Sequence, residues 1–430
     1  MTGTRLHRRS VVIAALSTVV EWYDFTLYLY FATVLSRIFF GGGEGALAVA
    51  LGGFAVAYLM RPVGAIVFGH IGDRYGRRRM LLLSMIVMSV AMLLTALLPA
   101  RAEIGALAGW LLILLRCLMG FSVGGEYTGV VAYLLESAPG DRRGLVASLA
   151  AAASEIGALL AVGVSALTVA MLSEDALRSW GWRIPFFFGA ALAACVWLAR
   201  STMRESPDFE CRRVAGTIPA SPLRHALTKQ RAGILRGFAI SALGSITYYV
   251  GITYVPAFLT SLHASTEADS LWLSTLAAIA VIVVTPVVGA LSDRIGRKPV
   301  LLTLAALSAL LPVTMFSMMA SGSPALALLG AVLLAFVAGG VSAVGAVATA
   351  EQFTGESRIT GLALGATIAT AIFGGLTPWL AQLLVTRTGL PTMPGWMIAI
   401  VALGVAPILL RMPETAPKTR LRWRNRPPPG

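Results

Sequence analysis

Apolar stretches of about 20 residues recur from one end of this chain to the other, separated by short charged loops. Nothing else in the sequence leaves it fewer folds to choose from. As helix, such a stretch rises roughly 30 Å, the thickness of a bilayer's hydrocarbon. Backbone N–H and C=O groups find no water there, so each segment must satisfy its own, and a helix does so. The stretches fall at 11–37, 46–70, 80–99, 105–135, 144–171 and 181–200, then at 233–260, 270–290, 300–320, 325–350, 359–385 and 394–411. They predict an all-α membrane protein of twelve transmembrane helices in two six-helix bundles, 1–200 and 233–411. A polar, proline-containing linker at 201–232 joins them, and a cytoplasmic tail at 412–430 ends in Pro427-Pro428-Pro429. Only 13% of the residues are charged and mean hydropathy is +0.80. A soluble protein would carry about 25% charge, so a large soluble core is excluded.

The net charge of +14 invites a nucleic-acid reading, which the placement of the charges removes. Of 34 Lys and Arg, 27 fall in termini, loops and segment ends on one side, 5 on the other, and Arg61 and Arg116 deep inside segments. That asymmetry marks the rich side as cytoplasmic, and an even number of crossings puts both termini there. The basic loops meet the lipid bilayer's anionic headgroups, and no basic module for nucleic acid is present. Cys117, Cys195 and Cys211 are scattered, which suggests neither a disulfide nor a metal set. The N-terminal run continues through Glu21-Trp22-Tyr23-Asp24 to about Ile38 without a cleavage site, so it reads as a retained first span.

Two basic loops carry the next inference. Gly72-Asp73-Arg74-Tyr75-Gly76-Arg77-Arg78-Arg79 and Ser292-Asp293-Arg294-Ile295-Gly296-Arg297-Lys298 place their aspartates 220 positions apart. Gly124-Gly125, Glu136 and Arg143 recur as Gly339-Gly340, Glu351 and Arg358, each 215 later. Two motif pairs at nearly equal offsets mean an internal duplication, the architecture of a carrier that rocks about a central site. The glycines permit tight turns. Asp73 can accept from orphan N–H groups at a neighbouring helix start or pair with Arg143. A latch is therefore expected at Asp73, Arg74, Arg77 and Arg143, and again at Asp293, Arg294, Arg297 and Arg358. The bland alternative is plain positive-inside topology. Glycines at helical spacing, Gly120 with Gly124, Gly125 with Gly129 and Gly361 with Gly365, predict closely packed helices.

An ionisable side chain at bilayer depth costs a few kcal/mol or more and marks a pathway or coupling site. Glu21 and Asp24 are three apart on one face of the first span, with Tyr28 a turn further. Arg61 lies in the second span, Arg116 and Glu126 in the fourth and Glu155 in the fifth. Four acids against two arginines leave two carboxylates in excess, so at least one is expected to hold a proton part of the time. Asp24 comes first as proton-coupling residue, then Glu21, with Glu126 and Glu155 after them. Arg116 is the natural anchor for a substrate carboxylate, with Arg61 and Tyr28 beside it. The second half offers uncharged groups, among them Tyr248, Tyr249, Trp272 and Gln382, to shape the substrate cavity. The competing reading of the charges is a structural ion-pair network.

The paired loops and six-plus-six layout resemble the major facilitator superfamily. Within it, Glu21-Trp22-Tyr23-Asp24-Phe25, Met60-Arg61-Pro62-Val63-Gly64, Gly124-Gly125-Glu126-Tyr127 and Gly181-Trp182-Arg183-Ile184-Pro185-Phe186 are similar to the metabolite:proton symporter family. Arg204-Glu205-Ser206-Pro207-Asp208-Phe209 resembles that family's linker start, and Thr370 to Pro378 its carboxylate carriers. The resemblance implies inverted repeats within each half and alternating access. It also implies proton-driven uptake, across a bacterial inner membrane, of a small solute bearing a carboxylate, either an organic acid or a zwitterion such as proline or betaine. Met119 stands where the family commonly has glutamine, and the tail has no heptad repeats of the kind some osmolyte carriers use. The expectation is thus a monomeric secondary transporter, not an enzyme, with the proton as coupling ion and no cofactor, metal or nucleic acid. A proton-driven exporter of drugs or metabolites is the main alternative; a transporter-like sensor or membrane enzyme is the third.

Overall fold

The structure is a computed structural model and describes residues 8–42, 45–261 and 267–416. All regular structure among them is helical. The long elements are α1 (Arg8–Tyr30), α2 (Ala46–Tyr75), α3 (Arg77–Leu97), α4 (Leu107–Ser137), α5 (Arg143–Met171), α6 (Arg183–Ser201), α7 (Arg231–Tyr248), α8 (Glu267–Ile295), α9 (Arg297–Leu310), α10 (Pro324–Ala350) and α11 (Met393–Leu410). Ten helices among the described residues are long and apolar enough to cross a bilayer. An eleventh crossing is α9 with Pro312–Met319, bent by 46°.

The crossing expected at 233–260 is not one regular helix. There α7 carries Arg231 and Arg236 and gives way to a π-helical stretch, Tyr249–Thr253, before the short helix Val255–Ser261. No single helix in that region meets the length and apolarity of a crossing. Further π stretches, Ala363–Thr367 and Ala371–Gly375, interrupt the helix that leads to Thr377–Thr388.

The chain divides into two units. The first comprises residues 1–136, 153–223 and 355–363; the second comprises 137–152, 224–354 and 364–430. Each unit thus takes in a short piece from the other half of the chain. In the first, α3 packs against α6 and α1 against α6, around Tyr23, Leu27, Phe31, Met88, Trp182 and Phe186. Small residues bring α2 and α4 into backbone contact: a Cβ on Gly64, Gly120 or Gly124 would collide with the carbonyl oxygen of Phe121, Ala57 or Arg61. In the second unit, Ile240, Leu301, Leu304, Val341 and Val344 form one core, and Phe258 with Phe316 anchor another.

Candidate functional site

Apolar helices leave charged side chains only one inexpensive direction, inward. In the first unit, α1, α2 and α4 surround a cavity lined by Glu21, Asp24, Tyr28, Arg61, Arg116 and Met119, with Phe25, Phe54 and Tyr58 as aromatic walls. Glu21 and Asp24 share a helix face, and the backbone contact between α2 and α4 sets Arg61 and Arg116 on neighbouring helices.

The cavity holds two acid–arginine pairs of unequal tightness. Arg116 donates from Nη1 to both Asp24 oxygens, at 3.0 and 2.9 Å, and from Nη2 to Thr95 Oγ1 at 3.1 Å. Its Nε is buried without a hydrogen-bond partner. Tyr28 stacks its ring beside this guanidinium, 5.3 Å away, and donates its hydroxyl to the Ala50 carbonyl at 2.9 Å. Glu21 is looser: its Oε1 lies 3.7 Å from Arg61 Nη1, and its Oε2 is buried with no hydrogen-bond partner. The Arg61 guanidinium sits over the Tyr58 ring at 4.4 Å and the Phe25 ring at 5.3 Å.

Glu126 and Glu155 do not line this cavity. Glu155 is buried on α5. Glu126 is fully buried and pairs with Arg200, also fully buried. Arg200 donates from Nη1 to Glu126 Oε2 at 2.9 Å and to the Leu81 carbonyl at 2.7 Å, and from Nη2 to Glu126 Oε1 and Ser17 Oγ. Ser84 completes the set, donating to Glu126 Oε2 at 2.7 Å. This corrects the charge tally: a third arginine lies inside the unit, so four acids face three arginines. Arg200 ends an apolar segment, where a charge reads as loop, and its burial follows from helices distant in sequence.

The two expected latches are built alike. In the first unit Asp73 accepts from the backbone N–H of Ile359 and Thr360, at 3.3 and 2.8 Å, and pairs with Arg77 at 3.0 Å. Arg77 also holds the fully buried Glu136 with Nε and Nη2, at 3.1 and 3.0 Å. Arg358 donates to Glu136 at 2.6 Å, and Ser206 Oγ donates to it at 2.5 Å. In the second unit Asp293 accepts from the N–H of Gly144 and Leu145, at 2.8 and 2.9 Å, and Arg297 pairs with Asp293 at 2.8 Å and Glu351 at 3.3 Å. Arg143 joins neither set among the described residues: Asp73 takes the helix-start N–H groups rather than this arginine, whose Nε is buried without a hydrogen-bond partner. Arg74 donates to the Ala220 carbonyl at 2.9 Å, and Arg294 is exposed.

Each latch has a cap that the sequence reading did not assign. Glu205 accepts from the N–H of Arg77 at 2.9 Å and Arg78 at 3.2 Å; Glu414 does the same for Arg297 at 2.9 Å and Lys298 at 3.0 Å. Beside them, Ser206 bonds to Glu136 and Thr415 to Glu351. Gly76 and Gly296, at φ 112° and 123°, make the turns that expose these helix starts, and a Cβ on either would strike the capping carboxylate. Burial pushes the Glu205 carboxyl above the usual carboxylate range, against the N–H donors and the Arg77 guanidinium that pull it down. The repeated Glu205-Ser206 and Glu414-Thr415, 209 positions apart, are the signal that finds both caps.

In the second unit Tyr254 donates its hydroxyl to Gln382 Oε1 at 2.7 Å. Tyr248 and Tyr249 meet edge to face, centroids 5.6 Å apart. The side chain of Trp272 lies outside the described residues.

Known proteins share this layout. The family model described as Sugar (and other) transporter matches residues 10–215, and that described as Major Facilitator Superfamily matches 262–429. The chain is 33% identical over 423 residues to the glycine betaine/proline/ectoine/pipecolic acid transporter OusA of Dickeya dadantii, covering 96% of this chain and 84% of that one. It is 31% identical over 387 residues to a citrate-proton symporter of Klebsiella pneumoniae, covering 89% of this chain and 87% of that one. The solved structure of the proton:xylose symporter XylE with 6-bromo-6-deoxy-D-glucose matches with a TM-score of 0.78 at 19% identity, over 97% and 98% of the two chains, a likeness of fold alone. With two relatives above 30% identity along most of its length, the chain is a multi-pass membrane transporter that belongs to the major facilitator superfamily, among its metabolite:proton symporters.

Proposed function

We propose that the protein imports a small carboxylate-bearing metabolite together with protons, by alternating access across a bacterial inner membrane, with both termini cytoplasmic. The observation that carries this is the buried Asp24–Arg116 pair in the cavity wall. Arg116 Nε is buried without a hydrogen-bond partner, a donor left over for a second anion. Two carboxylates on one guanidinium leave a buried negative charge, and a proton on Asp24 cancels it. Substrate anion and proton therefore favour each other at this site, which is what coupling requires. The compounds named for the two relatives fit, since glycine betaine, proline, ectoine, pipecolic acid and citrate all bear a carboxylate.

In this reading Asp24 and Glu21 carry protons, and Arg116, Arg61 and Tyr28 bind substrate. Tyr248, Tyr249 and Gln382 are the substrate-binding residues proposed for the second unit. The two Asp–Arg–Glu latches hold one conformation of the cycle. Proteoliposomes with an imposed pH gradient supply the test. Wild type accumulates a radiolabelled carboxylate substrate, and Asp24→Asn loses accumulation while keeping exchange of internal for external substrate. Full gradient-driven uptake by Asp24→Asn would remove Asp24 from coupling; no uptake of any carboxylate or betaine by wild type would sink the symport reading.

A further inference from the structure

We propose that the cavity takes a dicarboxylate, one carboxylate at Arg116 and the other at Arg61, with Asp24 and Glu21 each gaining a proton as the substrate arrives. This rests on the symport reading and names its substrate class. One cavity holds two acid–arginine pairs, and the second is only loosely made. Glu21 Oε1 lies 3.7 Å from Arg61, beyond hydrogen-bond range, and Glu21 Oε2 is buried in the wall without a partner. The ring faces of Tyr58 and Phe25 support the Arg61 guanidinium.

The permanence of the arginine charge then selects an anion over a cation. A ligand ammonium that captured Glu21 would leave Arg61, which cannot deprotonate in a protein, beside a second cation in a desolvated wall. A ligand carboxylate that captured Arg61 leaves Glu21, whose excess charge one proton removes. The same holds for Arg116 and Asp24. For each ligand carboxylate one O–H bond forms on the resident acid, the proton entering from bulk solvent along with the ligand, and no bond in the ligand breaks. A dianion thus enters with two protons and the cavity's charge is unchanged.

No other neighbour can substitute for the proton on Glu21. The groups facing it are Asp24 on its own helix, Arg61 from α2, Glu126 and Tyr127 from α4, and Arg200 from α6. Glu126 and Arg200 are committed to each other, and a tyrosine hydroxyl is neutral at physiological pH. Asp24 faces Arg116 from α4 and the phenols of Tyr23 and Tyr28.

Calorimetric binding to the purified full chain in nanodiscs tests this, with succinate and 2-oxoglutarate as dicarboxylates, proline and glycine betaine as zwitterions, and propionate as monocarboxylate. Dicarboxylates should bind more than about tenfold tighter than either other class if Arg61 supplies a second anchor. At alkaline pH, where both acids are ionised in the free protein, each proton taken up changes Kd about tenfold per pH unit, so the dicarboxylate Kd should rise about 100-fold per unit in wild type and about tenfold in Glu21→Gln. Arg61→Gln should reduce dicarboxylates to about the affinity of propionate, and its thermal unfolding in the same nanodiscs shows whether the variant folds. Zwitterions binding where dicarboxylates do not, or an unchanged pH slope in Glu21→Gln, overturns the dicarboxylate assignment and leaves symport standing. Silence of all three classes overturns both.

Discussion

A residue's environment in this molecule decides whether its charge is fixed or exchangeable. Glu126 and Arg200 are fully buried, bond to each other, Ser17, Ser84 and the Leu81 carbonyl, and do not line the cavity of Asp24 and Arg116. Removing one member strands the other in a place without water, which costs about 3–5 kcal/mol for a buried pair. Glu126→Gln and Arg200→Met should each lower the thermal unfolding temperature in detergent. The double variant should be less destabilised than either single one, because it leaves no bare charge. If the singles unfold like wild type, the pair is not structural. Arg116 makes the opposite case: it faces a cavity, and its guanidinium geometry is its use. Arg116→Lys keeps the charge and loses the second nitrogen, so it should weaken substrate binding about 10- to 100-fold, since a charged hydrogen bond contributes about 1.5–3 kcal/mol. Unfolding should shift far less. Unaltered affinity in Arg116→Lys would make the Asp24–Arg116 pair purely structural.

At the scale of elements, the cavity exists because α2 and α4 touch backbone to backbone. Gly124→Ala would push a methyl into the Arg61 carbonyl and pry apart the helices that carry Arg61 and Arg116. Overpacking of this kind costs about 1–3 kcal/mol, so both ligand affinity and stability should fall. Gly163→Ala on α5, where nothing lies within 4 Å of the added carbon, should stay within about 1 kcal/mol of wild type and serves as the control. Equal effects of the two would show that the contact carries no strain. The same elements explain what a reader of the sequence can see. Crossing helices are legible because length and apolarity alone decide them, and a charge such as Asp24 or Arg61 stands out inside an apolar run. The break at Tyr249–Thr253 leaves no mark in hydropathy, so the segment around it reads as one span. Arg200 stands at a segment's edge, where only the packing of α1, α3 and α4 against it decides burial. Glu205 caps a helix that starts 128 residues earlier, a pairing no local pattern announces.

For the whole molecule, the duplicated motifs give two latches of the same chemistry whose supports differ. The first unit closes Glu136 with Arg77, Arg358 and Ser206; the second closes Glu351 with Arg297 and Thr415. One Glu351 oxygen stays buried without a hydrogen-bond partner, and Arg143, the counterpart of Arg358, contributes nothing to it among the described residues. The first latch is therefore the stronger one. In the proposed cycle both must open once per turnover, and the conformation they hold is favoured by their combined strength. Asp73→Asn removes a carboxylate that two backbone N–H groups and Arg77 share, so it should shift the balance of conformations by about 10- to 100-fold, from roughly 1.5–3 kcal/mol of charged hydrogen bonding. Asp293→Asn removes the same contacts from the weaker latch and should shift the balance in the same direction. The measurable consequence is a split between rate and binding. Exchange in proteoliposomes should slow or quicken in both variants, more in Asp73→Asn if the stronger latch dominates the balance, while ligand affinity at the Asp24–Arg116 cavity moves by less than about threefold in a conformationally trapped form. A loss of affinity in that trapped form that matches the loss of exchange would place these aspartates in substrate binding and end their role as latches.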